Sequence, residues 1–570
     1  MTIQRDRRGL RLGVLATCLA LVTAACGSTA SPSPAPTSSS SASPRASASA
    51  APSAVAPSDK PLRVGWSSEP DTLNPLTSYS TEALEVQSLV YDRLLGYGLD
   101  LQPQPELATD FAYSADGKSI TFPLRSGVTW SDGQPFTSAD VKYTYELIKK
   151  ESLGAYAQWL TGLTSVEAPN AQTVTLVFDV PQAFNPALTI PILPQHIWGS
   201  MSSDEIQAFA NDTPVGTGPF TFAEWKRGES VTLVRNPTFW GPPPAPAGVI
   251  YVLYANEDVM AQGLKRGDVD ILTEVPPTIW DGLQGAENVK SVSLPSWSFH
   301  HIGFNVSTEA TSKGDPLLRD AVVRQALSYA LDREQLVEIA LAGHGRAGST
   351  LIPLGLTDWH YEPTAAEAMN GNPAKAISLL DAAGYTDRNG DGVREGPDGA
   401  PLEFRLIAIE STGVDVRAAQ LFRDTAAAVG IKLDLTTLDE NTLGSTVYNT
   451  DAPDWDIFVW GWDSGVPDPD YMMGVPLCSQ IGGNNDVFYC DQTYDDLYTQ
   501  QATTVDEVAR ASIVDEMQQM FYDSGTYIVM WYQDKLQAYR IDTWQGWVET
   551  PGGMVFNFTR DNYLEVTPVA

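Results

Sequence analysis

Residues 27–58 contain almost nothing that folding could bury. They are Ser, Ala, Pro and Thr with Gly27, Val55 and one charge, Arg45. Such a stretch cannot offset the entropy of ordering a chain and is expected to stay disordered, as a partly Pro-stiffened tether. Before it, a basic start (Arg5, Arg7, Arg8, Arg11) leads into an apolar run, Leu12 to Ala25, that stops at Cys26. This is the pattern of a secretory signal. The order Thr23-Ala24-Ala25-Cys26-Gly27 is that of a bacterial lipoprotein signal, in which the cysteine is acylated, although Thr23 stands where Leu or Val is usual. Plain secretion is the other reading. A retained span is disfavoured, since the run falls short of the ~20 residues that cross a bilayer. The sequence therefore divides into a signal (1–25), a lipidated Cys26 with its tether (26–59), and a folded part from Lys60 onward.

The formal net charge of −35 argues against nucleic acid and against electrostatic binding to anionic lipid. With Cys18 lost in the signal and Cys26 acylated, Cys478 and Cys490 remain. They flank a turn-rich stretch, Ile481 to Asp486, and read as a disulfide that stabilises the loop by about 3 kcal/mol.

Strand and helix signals alternate along the folded part, which places it in the α/β class. Leu62–Trp66 reads as a buried strand opening into a polar loop, 67–74. Helical spacing runs over 81–95, 320–342 and 372–383, and Thr137 to Asp140 starts another helix with a hydroxyl cap and an acidic first turn. Segments 119–124, 402–407, 431–436 and 455–460 read as strands.

Catalytic signatures are missing. The sequence holds no HExxH, GxSxG, GxxxxGK[ST] or post-strand GxGxxG. Of its five histidines (His196, His300, His301, His344, His360), the neighbours His300 and His301 would point to opposite sides of a strand, which argues against one metal held by both and favours packing and loop hydrogen bonding. Asp387, Asn389, Asp391 and Gly392 match the opening of a calcium loop, with Asp398 at the twelfth position. Pro397 and Asp398-Gly399 stand where a helix should begin, so a plain acidic turn is the competing reading. Trp455, Trp460 and Trp462 lead into the loop 463–471, the strand-then-loop arrangement of many ligand sites.

Taken in order, several blocks resemble one family across nearly the whole folded part. They are Thr72-Leu73-Asn74-Pro75, Tyr91-Asp92-Arg93-Leu94, Phe122 to Gly133 with Thr137 to Val141, Pro194 to Trp198, Gly216 to Phe220, Arg235-Asn236-Pro237 to Trp240, Arg324 to Arg333, and Ala374 to Gly384. The chain is similar to the extracytoplasmic solute-binding proteins of peptide-type ABC importers, the oligopeptide-, dipeptide- and nickel-binding family. The resemblance implies a two-lobed periplasmic-binding fold of the large three-subdomain type. Lobe I would span 60–303, with an extra subdomain at about 80–215. Lobe II would span 304–527, and 528–570 would return to lobe I. It also implies a monomer without enzymatic activity. Such a protein closes over a solute and delivers it to a membrane permease and its ATPase from the outer face of the membrane.

Carried over residue by residue, the solute contacts would be Ser68, Glu69, Pro70 and Asp71 in lobe I and Gly461, Trp462 and Asp463 in lobe II. Members of the enteric type place an aspartate three residues after that tryptophan to pair with the peptide amine. Here Gly465 stands at that place, and Asp463 or Asp468 are the candidate substitutes. A peptide is the solute the resemblance implies. A sugar stacked on Trp297, Trp460 or Trp462 competes, and a nickel complex is a third reading. Outside transport, the alternatives are a sensor without a permease and a hydrolase built on Glu69 and Asp468.

Overall fold

The apolar run Leu62–Trp66 forms a strand in the interior of an eleven-stranded sheet. The computed structural model describes residues 57–151, 154–555 and 559–569. The signal run, Cys18, Cys26 and nearly all of the tether lie outside the described residues. Residues 54–570 form one compact unit, and among the described residues no helix is long and apolar enough to cross a membrane.

Across the large sheet the strands run Lys432–Leu438, Glu403–Ile409, Ile457–Asp463, Val289–Phe304, Tyr527–Arg540, Ile271–Leu272, Leu62–Trp66, Gly248–Leu253, Ser230–Arg235 and Phe220–Lys226; the short Gly345–Ala347 pairs beside Tyr527–Arg540. Glu403–Ile409 is parallel to both its neighbours, and helix Gly413–Ala428 lays Ala418, Ala419, Phe422 and Ala426 against Leu406 and Ala408. A second sheet of four strands, within 112–178, packs with helix Ser138–Glu151 and shares one core cluster with Leu62 and Val64 of the large sheet.

Two long strands belong to both lobes. Val289–Phe304 and Tyr527–Arg540 run antiparallel side by side. Their outer halves contribute Val292, Leu294 and Tyr539 to the core of lobe I. Their inner halves contribute Ile302, Phe304, Ile528, Met530 and Trp531 to lobe II, whose second cluster takes Trp297 and Phe299. The ladder shifts register between Pro295 and Phe299, where proline has no N–H to donate. The chain thus changes lobes within these strands, near 295–299 and 532–535, rather than at the expected 303/304 and 527/528. Core membership, which a boundary guess from spacing does not see, decides this.

Other expectations shift locally. The helix expected over 320–342 is two helices, Ala321–Ala330 and Arg333–Ala340, because Asp332 leaves the helix to cap the second at Gln335 N (2.9 Å). The first helix stops at Val90, and the strand expected at 455–460 runs Ile457–Asp463, with Trp455 buried beneath it. Cys478 and Cys490 are bonded. Outside the hinge the lobes also meet: Ala183 N donates to Ala502 O at 2.9 Å, and the rings of Trp159 and Tyr471 lie 6.3 Å apart.

Candidate solute-binding cleft

Where the hinge ladder breaks, a cavity of about 930 Å³ opens between the lobes. Ser296–Ser298 and Gln533–Lys535 line it from the hinge. Lobe I supplies the loop 75–79, Leu84 and Glu85, with Tyr156 and Trp159 from the extra subdomain. Lobe II supplies Asp463–Val466 and Tyr471. Ser298 and Asp463 also line an adjoining gap of about 710 Å³, bounded by Thr412, Asp415, Glu440, Tyr448, Trp460 and Trp462.

That gap has a backbone cause. The ladder between Glu403–Ile409 and Ile457–Asp463 ends at Val459, whereas pairing to the hinge strand continues to Asp463. Beyond Ile409 the chain turns into helix Gly413–Ala428, so no strand continues beside Trp460–Asp463. One edge of that segment faces open space. A pleated strand offers N–H and C=O groups there. Gly461 keeps this wall low: a Cβ at that position would stand 3.0 Å from the His300 ring.

The residues expected from sequence divide cleanly. Trp297 and Asp463 line the main cavity; Trp460, Gly461, Trp462 and Asp463 line the gap. Ser68, Glu69, Asp71 and Asp468 line neither. Glu69 accepts from Trp225 Nε1 (3.1 Å) and Gly228 N (2.7 Å) and ties its loop to a hairpin of lobe I. Asp71 accepts from the Ser80 hydroxyl (2.8 Å) and Tyr79 N (3.1 Å) and so braces the start of helix Thr81–Val90. Asp468 is buried in a two-point ion pair with Arg510, both contacts 2.7 Å. The acid pair on which a hydrolase would rest therefore does not face the cleft. From lobe I the cavity is lined by the loop that follows Leu73-Asn74, and Tyr79 there is 85% exposed.

The main cavity is acidic. Glu85, Glu151, Glu274, Asp463 and Asp534 face it, against Lys535, which is paired to Glu274 at 2.5 Å. Glu85 is buried and accepts from Trp66 Nε1 (3.2 Å); burial pushes its carboxyl up to about 8. Burial, with Glu274 nearby, also raises Glu82. Asp534 is bonded to Ser293 and Arg346. Asp463 is exposed and accepts from the Ser298 hydroxyl (2.6 Å) and Gly465 N (2.7 Å); Lys535, itself paired to Glu274, is close enough to interact with it electrostatically. Gly465 sits at φ +68° with no atom within 4 Å of a Cβ built there.

Neighbouring His300 and His301 point to opposite sides of the hinge strand, as expected. His300 Nδ1 lies 2.7 Å from Asp415, whereas His301 is fully buried against Tyr527. At the calcium-like loop, Asp387, Asp391 and Glu395 bring ligand atoms within 4.8 Å of one another. Asp398 is not among them and instead accepts from Ala400 N, in the second turn. Both Asp387 oxygens accept backbone amides, from Gly390 and Gly392, and Asn389 Nδ2 donates to Glu395, so the turn is held by its own hydrogen bonds.

A two-lobed α/β fold with a cleft at a paired-strand hinge defines a solute-binding protein. The chain belongs to the bacterial extracellular solute-binding proteins, family 5, whose profile matches residues 102–484. It is 29% identical over 491 residues to protein XP55 of Streptomyces lividans, covering 85% of each chain. It is 28% identical over 488 residues to the oligopeptide-binding protein AppA of Bacillus subtilis, covering 84% of this chain and 87% of AppA. The solved structure of that AppA in complex with a nonapeptide matches with a TM-score of 0.74 at 24% identity, covering 90% of this chain and all of AppA's.

Proposed function

We propose that this protein captures an extended peptide in the interlobe cleft and hands it to an ABC permease and its ATPase. In this reading it works from the extracytoplasmic face of the membrane, held there by a lipid on Cys26, and it acts as a binder without catalysis. The observation that carries the proposal is the open edge of Trp460–Asp463. An extended peptide can add to that edge as a strand, drawing affinity from main-chain hydrogen bonds that do not depend on sequence. The open edge runs directly into the main cavity at Asp463. There a free amine meets the Asp463 carboxylate, whose cationic neighbour Lys535 is already paired to Glu274, and Asp463 substitutes for the aspartate absent at Gly465. The half-buried indoles of Trp460 and Trp462 favour a second reading, a sugar stacked on their faces.

Native mass spectrometry of the chain from Ala54, followed by a thermal-shift screen, separates these. Co-purified peptides and stabilisation by peptides support the proposal. Stabilisation by oligosaccharides alone replaces it with the second reading.

A further inference from the structure

The disulfide-closed loop does more than stabilise itself. It carries Asp486, whose side chain is fully buried. The two indoles that line the gap both donate to one of its oxygens: Trp460 Nε1 to Oδ2 at 2.9 Å and Trp462 Nε1 to Oδ2 at 3.1 Å. The other oxygen, Oδ1, accepts from the hydroxyl of Tyr527 at the start of the second hinge strand. His301 Nε2 of the first hinge strand lies 3.5 Å from Oδ2, with its ring stacked on Tyr527 at 3.9 Å. One buried carboxylate therefore holds the aromatic pair of Ile457–Asp463 to both hinge strands. Residues 460 and 462 are two apart, so both rings leave the same face of the strand. Without an acceptor there, each indole would have a buried N–H to satisfy elsewhere, and the rings would turn.

We propose that Asp486 is a positioning residue: it fixes the rings of Trp460 and Trp462 and thereby the wall that the open edge presents to solute. This rests on the reading of that edge as the solute site. Asp486 does not itself line the main cavity and acts through the two tryptophans. The closed loop sets where Asp486 stands, since Asn485, its neighbour, is itself held by the carbonyls of Pro476, Leu477 and Tyr489.

The test compares Asp486→Asn with Asp486→Leu in the chain from Ala54, with tryptophan indoles labelled by 15N. Asparagine can keep an oxygen toward both indoles and turn its amide toward the Tyr527 oxygen; leucine keeps the bulk and removes the acceptor. Trp460→Phe and Trp462→Phe assign the two indole resonances. In unliganded wild type these two are expected downfield and slow to exchange, little altered in Asp486→Asn, and moved upfield with at least tenfold faster exchange in Asp486→Leu. The apparent Kd for a pool of random nonapeptides is expected to change less than threefold in Asp486→Asn and to rise at least tenfold in Asp486→Leu. Unchanged indole resonances in a folded Asp486→Leu overturn the proposal, as does unaltered affinity once they have moved. If Asp486→Leu does not fold, Asp486→Asn decides: loss of the two downfield resonances together with wild-type affinity overturns it. A wild type whose indole resonances behave as expected but which ignores the peptide pool overturns the peptide reading instead, and the two failures stay distinct.

Discussion

Asp468→Asn separates a structural acid from a solute-binding one. In the structure Asp468 and Arg510 are 9% and 3% exposed and meet through two contacts of 2.7 Å, while Arg510 Nε donates to Gln501 at 2.9 Å. Replacing the carboxylate with an amide keeps the volume and one acceptor but takes from a buried guanidinium its two-point counter-charge, with Asp470 the remaining carboxylate in electrostatic reach. Removing one partner of such a pair costs about 3–5 kcal/mol, although the intact pair is worth far less, because desolvation offsets most of its attraction. If lobe II unfolds as a unit of about 220 residues, this corresponds to a fall in Tm of roughly 6–11 °C. Calorimetry of the chain from Ala54 reads the shift, and titration with a nonapeptide pool reads affinity in the folded variant at low temperature. The expected result is a lower Tm with affinity unchanged within threefold, since Asp468 lines neither the cavity nor the gap. Lost affinity with unchanged Tm would refute the reasoning and return Asp468 to the solute site.

Four further outcomes are expected. Asp463→Asn should weaken binding of free-amine nonapeptides about tenfold and leave N-acetylated ones nearly unaffected, which calorimetric titration of the two pools checks; this size is that of one charge-assisted contact, about 1.5 kcal/mol. Gly465→Asp has room for its side chain, and Asp tolerates the left-handed backbone better than most residues, so it should cost about 1 kcal/mol of stability and strengthen free-amine binding. Glu85 holds its proton to about pH 8 when folded but releases it near pH 4.5 when unfolded, so the native state binds more protons across that window and stability falls as pH rises through it. Glu85→Gln should remove this slope and raise Tm at pH 8, read by thermal melts from pH 5 to 8. Millimolar calcium should leave Tm unchanged, because the 387–395 turn already holds itself; a saturable rise would reveal a structural ion.

Much of the fold was legible because its signals are local. The apolar run at Leu62–Trp66, the parallel strands around 403–438 and the cap near Thr137 need only neighbouring residues to be read. The hinge was not, since Val289–Phe304 mixes polar residues with Pro295 and is held together by Tyr527–Arg540, more than 200 positions away. The break at Asp332 was hidden because the apolar spacing continues through it. At the site, Trp297, Trp460, Trp462 and Asp463 stood out as aromatic and acidic residues beside a turn. Ser68–Asp71 came from the resemblance alone, and Glu69 and Asp71 brace their own loop instead of lining the cavity. Asp468 misled because its partner Arg510 lies 42 residues downstream. Asp486 was read as turn chemistry next to glycines and asparagines, and no local pattern tells a turn aspartate from one carried inward by a disulfide loop.

Backbone hydrogen exchange across Trp460–Asp463 tests the central claim most directly, measured with and without a saturating nonapeptide pool. The account predicts that the amides of this open edge exchange quickly in the free protein and become protected when peptide binds, together with the loop 75–79. Bound peptide that protects other segments and leaves Trp460–Asp463 exchanging as before would contradict it.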